Sequence, residues 1–183
     1  MEKKKVQTGL RLVFAGNIAG ILVIIPFFGI CAIIAAGILQ LVGLLILRKQ
    51  NEGYNMTLIC TIAATLFGMC ASGDSMTSSA MSLLREVASL IGTYCMCTAT
   101  ADCVEIVSYN ASEYCISVRN WYVTCMAIGL AISAVMIVFA IIPLFGTIVA
   151  LIGSLALVVV AIFEFVASIR YLIMLWKSQK VLG

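Results

Sequence analysis

Apolar residues run through this chain in long blocks, broken by short polar or turn-forming clusters. The first block, Leu12 to Leu47, is interrupted only at Pro26-Phe27-Phe28-Gly29. An unbroken helix over it would reach about 54 Å, against a hydrocarbon core of about 30 Å. Proline disfavours helix in the residue before it and lacks a backbone donor, and glycine permits a sharp reversal. The pattern therefore predicts two helices, about 8–25 and 28–48, joined by a tight turn. Arg48 to Gly53 is the first polar loop, and a third helix follows at about 54–72. Gly73-Asp74-Ser75 turns the chain into a fourth helix, about 79–100, and the polar stretch 101–119 reads as a loop. A fifth helix, about 120–142, ends at Pro143-Leu144-Phe145-Gly146, and the sixth covers about 147–177.

The expected fold is an all-α integral membrane protein of one domain, 1–183, with six transmembrane helices paired as three hairpins. Composition agrees: 63% of residues are hydrophobic, 10% are charged, and the mean hydropathy is +1.18. That leaves too little charge to cover a water-facing surface, and too much apolar residue for disorder. The solvent is the lipid bilayer, and the expected location is the cell membrane.

Charge sets the orientation. If the N-terminus is cytoplasmic, ten of the eleven basic residues fall at inner ends, and only Arg85 lies near an outer one. The bias of basic residues toward the cytoplasm then predicts both termini inside, with 101–119 a cytoplasmic loop. The basic stretch before the first apolar run has the form of a secretion signal, but the apolar run resumes after Pro26, so it reads as a retained span. Trp121, Tyr122, Tyr171 and Trp176 fall where an inner aromatic belt is expected.

Ile24-Ile25-Pro26-Phe27-Phe28-Gly29 reappears as Ile141-Ile142-Pro143-Leu144-Phe145-Gly146. Both copies fall at outer turns, which predicts a parallel repeat of the hairpins 8–48 and 120–177; transporters use such repeats. Small residues at four-residue spacing predict close helix packing through Gly16 and Gly20, and through Gly146, Ala150 and Ser154.

Polar groups inside a membrane are costly, so each is a functional candidate. Asn17 and Gln40 fall at similar depths on the first two spans, where a mutual hydrogen bond would form a clasp or hold a ligand. Thr57, Thr61 and Thr65 make a stripe on the third span. Such hydroxyls can bond back to their own helix or line a polar path. Glu164 lies in the apolar stretch Ile162-Phe163-Glu164-Phe165-Val166. It reads as an ion pair with Arg11 or as a proton or cation coupling site.

The remaining chemistry is sparse. There is no histidine, no nucleotide-binding glycine loop and no nucleophile motif. No catalytic residue, cofactor or metal is expected, and the scattered basic residues do not suit nucleic acid. Cys95-x-Cys97 would point about 160° apart on a helix, against metal ligation. Cys31, Cys60, Cys70, Cys95, Cys97 and Cys125 all fall in apolar runs and read as reduced packing residues.

In size, span count and Ala15-x-x-x-Ala19 the chain resembles the substrate-binding components of energy-coupling vitamin transporters, a resemblance that carries no site residue across. Two functions are therefore expected. One is a small-solute transporter or substrate-binding membrane subunit of unknown ligand. The other is a non-catalytic regulatory or scaffold subunit acting through its cytoplasmic face on a membrane protein partner. A third reading, a homo-oligomeric channel, ranks last because no ring-forming filter motif is visible.

Overall fold

The computed structural model describes residues 2–21, 29–71, 76–140 and 143–183. It contains six helices: α1 (Lys3–Ile21), α2 (Gly29–Leu47), α3 (Glu52–Cys70), α4 (Met76–Glu105), α5 (Tyr109–Ala140) and α6 (Pro143–Leu182). No strand occurs among the described residues. Four helical segments are long and apolar enough to cross a membrane: Glu52–Cys70, Thr77–Glu105, Tyr109–Phe139 and Leu151–Leu182. They support a multi-pass membrane protein. The apolar part of α2, Cys31–Leu47, is shorter, and α1 opens on Lys3, Lys4 and Lys5 with Arg11 further along.

Helices adjacent in sequence pack side by side, and α1 also packs on α6. The α1–α2 contact is closest. A Cβ on Gly43 would lie 2.9 Å from the Gly9 carbonyl oxygen and 3.0 Å from the Val13 nitrogen. A Cβ on Gly16 would meet the Ala36 carbonyl oxygen at 3.0 Å. Without these glycines the two backbones could not approach so closely. Gly16 thus packs on α2, whereas Gly20 has no described residue within 4 Å of where its Cβ would stand. The true partner of Gly16 on α1 is Gly9, two turns back on the same face, because two turns of seven residues follow the contact seam more closely than one of four.

The core lies at one end of the bundle. Val6, Leu10, Leu47, Tyr54, Met96, Val104, Val118, Met174 and Leu175 are all buried there. The chain ends meet at the same place: the Gln7 side-chain amide donates to the Gln179 carbonyl (3.1 Å), and the Gln179 amide to the Leu10 carbonyl (3.2 Å). The α2–α3 turn closes on it as well. Asn51 caps α3 by accepting from the Gly53 amide (2.8 Å) and reaches Asp102 on α4 at 3.3 Å. Away from this end, Ile33, Ile34, Ile38, Leu66, Leu151 and Leu155 are exposed, as lipid-facing residues are.

Two expectations need correction. The stretch 101–119 is not a loop: α4 continues to Glu105, α5 begins at Tyr109, and only 106–108 turn. Asp102, Glu105 and Glu113 are exposed, while Thr100, Cys103, Val104, Ser112, Cys115 and Val118 are buried. Polar residues on one face and small or apolar ones on the other make an amphipathic helix emerging into water. Ser154 departs from the expected α6 packing stripe as well. Ser154 is exposed and donates to its own helix at the Leu151 carbonyl (2.9 Å), and the buried residue is its neighbour Gly153, against Met136. Gly146 and Ala150 fall on the first turns of α6, where side-chain placement lies outside the described residues. Most of the two repeated Pro-Gly turns also lies outside them.

Candidate functional site

All six helices contribute to one central cavity of about 720 Å³, which begins where the core ends. Its floor is apolar, with Val13, Leu44 and Met96. Above the floor the wall turns polar. Asn17 and Gln40 stand on one side, and Thr57, Thr61 and Thr65 on the other. Five separately chosen sequence candidates from three helices thus share a single space.

Thr61 and Thr65 keep to their own helix, and Thr57 also reaches α4. Thr61 donates to the Thr57 carbonyl and Thr65 to the Thr61 carbonyl, each at 2.8 Å. Thr57 lies 2.9 Å from the Gly53 carbonyl oxygen and 3.2 Å from that of Gly92 on α4. Gly92 allows that approach, since its Cβ would stand 3.2 Å from the Cys60 Cβ. A hydroxyl whose hydrogen is spent on a helix carbonyl still has acceptor lone pairs. The stripe therefore presents acceptors to the cavity.

Asn17 and Gln40 do not form the expected clasp. The Asn17 amide donates to the Val13 carbonyl of its own helix (2.8 Å). The Gln40 side chain lies along α1 at Gly16, half-buried, and makes no hydrogen bond among the described residues. Its amide offers donors and an acceptor to whatever fills the cavity.

Further polar residues line the wall. Arg85, Ser89 and Thr93 form a second stripe on α4 at four-residue spacing, opposite the threonines of α3. Arg85 is exposed, its stem rests on Gly68, and no carboxylate of the described residues lies within ion-pair distance of it. Tyr122, Ser168 and Tyr171 complete the wall from α5 and α6. The two tyrosine rings pack with centroids 6.0 Å apart. They face inward, and the belt is left to Trp121 and Trp176, each 40% exposed. Helical phase explains the split: neighbours in sequence point about 100° apart, so Trp121 and Tyr122 cannot both face lipid. The four-residue stripe on α4 was readable in advance, whereas the inward turn of Tyr122 and Tyr171 depends on how α5 and α6 are rotated.

Glu164 and Arg11 do not meet. Leu10 lies level with Gln179, so Glu164 is fifteen residues, about 22 Å, further along α6. Residue counts from the turns do not give this register, because the packing of α1 on α6 sets Leu10 level with Gln179. Arg11 is exposed. Glu164 lies one turn beyond Ser168, whose hydroxyl donates to the Glu164 carbonyl (2.9 Å). Its carboxylate faces α5 at Gly129, where a Cβ would come within 3.1 Å of Oε1. It stands beside the cavity wall and does not line it.

The cysteines are all free thiols. Cys60, Cys97, Cys103 and Cys115 are buried, whereas Cys31 and Cys70 are exposed, so packing accounts for only some of the apolar-run set.

Comparison with protein-family models, curated proteins and solved structures finds no match to this chain.

Proposed function

We propose that this chain is a non-catalytic cell-membrane protein that binds, and moves across the bilayer, a small polar solute held in the central cavity. The carrying observation is the convergence of Asn17, Gln40, Thr57, Thr61 and Thr65 on one space of about 720 Å³. Ligand cavities commonly measure about 300–1,000 Å³ and use a few placed polar groups for orientation. Here the unpaired Gln40 amide and the Arg85 guanidinium supply donors, and the threonine hydroxyls supply acceptors. The donor set, with a cation at one end, suits a solute bearing a carboxylate or carbonyl oxygens and hydroxyls.

The topology proposed with it has six spans in three hairpins, both termini in the cytoplasm and a parallel repeat of 8–48 and 120–177. Antiparallel contacts support the pairing: Gly9 with Gly43 and Gly16 with Gln40 in the first hairpin, Cys115 with Ser178 and Gly129 with Glu164 in the last. In this reading Glu164, one turn from the wall, is the coupling carboxylate.

Thermal unfolding of the purified protein in nanodiscs, with small neutral, anionic and cationic solutes, tests the binding step. Oxygen-rich neutral or anionic solutes are expected to raise the Tm. Gln40→Leu and Thr61→Val should abolish the rise, because each removes a polar partner and leaves the packing volume nearly unchanged. Glu164→Gln should keep that rise but lose uptake into proteoliposomes. If no solute shifts the wild-type Tm, the cavity is not a ligand site and the scaffold reading replaces this one.

A further inference from the structure

A second hollow, of about 830 Å³, lies on the outside of the bundle between α5 and α6. Its floor is apolar, made by Ile128, Val159, Val160 and Phe163, and its polar side carries Asn120 and Arg170. The Arg170 guanidinium stands over the Trp121 ring, 5.5 Å from its centroid, and no carboxylate of the described residues is within ion-pair distance. Two turns on, the Lys177 ammonium stands over the Tyr114 ring at 4.3 Å.

A cation at the edge of the hydrocarbon is costly without a counter-charge. The headgroup layer supplies one, since basic residues at the membrane surface attract anionic lipid. From Arg170 to Val159 the groove follows α6 for about 16 Å over apolar side chains, the reach of much of an acyl chain. Glu113, the carboxylate that lines the hollow, is eight residues before Trp121, about 12 Å toward the water-facing end. At that distance it does not neutralise the Arg170 head, and Glu164 turns its carboxylate to Gly129 on α5 and is not among the residues that line the hollow.

We infer that this groove is a binding site for one anionic glycerophospholipid. Its phosphate sits on Arg170 with Asn120 as a second donor, and one acyl chain lies along Phe163, Val160 and Val159. The inference is independent of what the central cavity holds.

The test is native mass spectrometry of the full chain released from nanodiscs of phosphatidylcholine and phosphatidylglycerol in equal parts. One phosphatidylglycerol should be retained in roughly fivefold preference, the scale of one basic residue near an anionic surface. Arg170→Gln should bring the ratio to that of the bulk, and Arg170→Lys should restore part of it. Ile128→Trp fills the floor and should displace the lipid with Arg170 still in place. An unchanged preference in Arg170→Gln or Ile128→Trp overturns the site. So does loss of the preference in excess inorganic phosphate, which would mean an anion subsite only, or release of two copies of the chain with no lipid. If Arg170→Gln fails to fold, the ratio in Ile128→Trp decides alone.

Discussion

The glycines divide by what their missing side chains would touch. At Gly43 the absent Cβ would meet backbone, the Gly9 carbonyl oxygen at 2.9 Å and the Val13 nitrogen at 3.0 Å. Backbone cannot rotate away as a flexible side chain can, so α1 and α2 must separate. Gly43→Ala is expected to destabilise by about 1–3 kcal/mol, the usual cost of overpacking. Gly37 has no described residue within 4 Å of its Cβ position. Gly37→Ala should be neutral or stabilising by up to about 1 kcal/mol from helix propensity alone. Denaturant unfolding in detergent, followed by circular dichroism, compares the two, and equal effects would remove the close-approach account of α1–α2. Glycine and alanine spacing was readable in the sequence. Which glycine meets backbone was not, because Gly16-x-x-x-Gly20 and Gly9…Gly16 are equally regular and only the partner helix selects between them.

Helices α4 and α5 show how a polar stretch can be helical. Their ends hold Asp102, Glu105 and Glu113 outward while Thr100, Val104, Cys115 and Val118 are buried. Cross-helix bonds hold the arrangement, with Arg119 donating to the Thr98 hydroxyl at 3.2 Å and its guanidinium over the Tyr94 ring at 5.0 Å. Hydrogen exchange should therefore find amides 99–105 and 113–118 protected. Fast exchange should be confined to 109–111, the first α5 amides, which have no upstream helical carbonyl. Uniform fast exchange over 101–119 would restore the loop. Polarity counted alone ends α4 near residue 100, five residues short of Glu105. The phase of the polar residues, one face out and one face in, was the informative signal.

Across the whole molecule, the dense core and the cavity occupy opposite parts of one bundle. The termini, the α2–α3 turn and the α4–α5 turn gather at the packed end. Basic residues concentrate at that end, and the proposed orientation sets it in the cytoplasm. A reporter active only in the cytoplasm should work when fused after Gly183 or inserted within 48–51, and one active only outside should be silent at both positions. The reverse pattern would invert the orientation and open the cavity to the other side.

Composition and apolar run length determined the class of this protein by themselves, because a chain with 10% charge has no means of covering itself against water. The intramembrane polar residues were also readable one by one, since each is conspicuous against an apolar background. Their grouping was decided only by the tertiary structure. Asn17, Gln40 and the threonines share a cavity because helix rotation turns five polar positions inward together. Glu164 and Arg11 are kept apart because α6 slides past α1 until Leu10 is level with Gln179. Depth along a helix can be counted from sequence, whereas rotation and register between helices arise from packing.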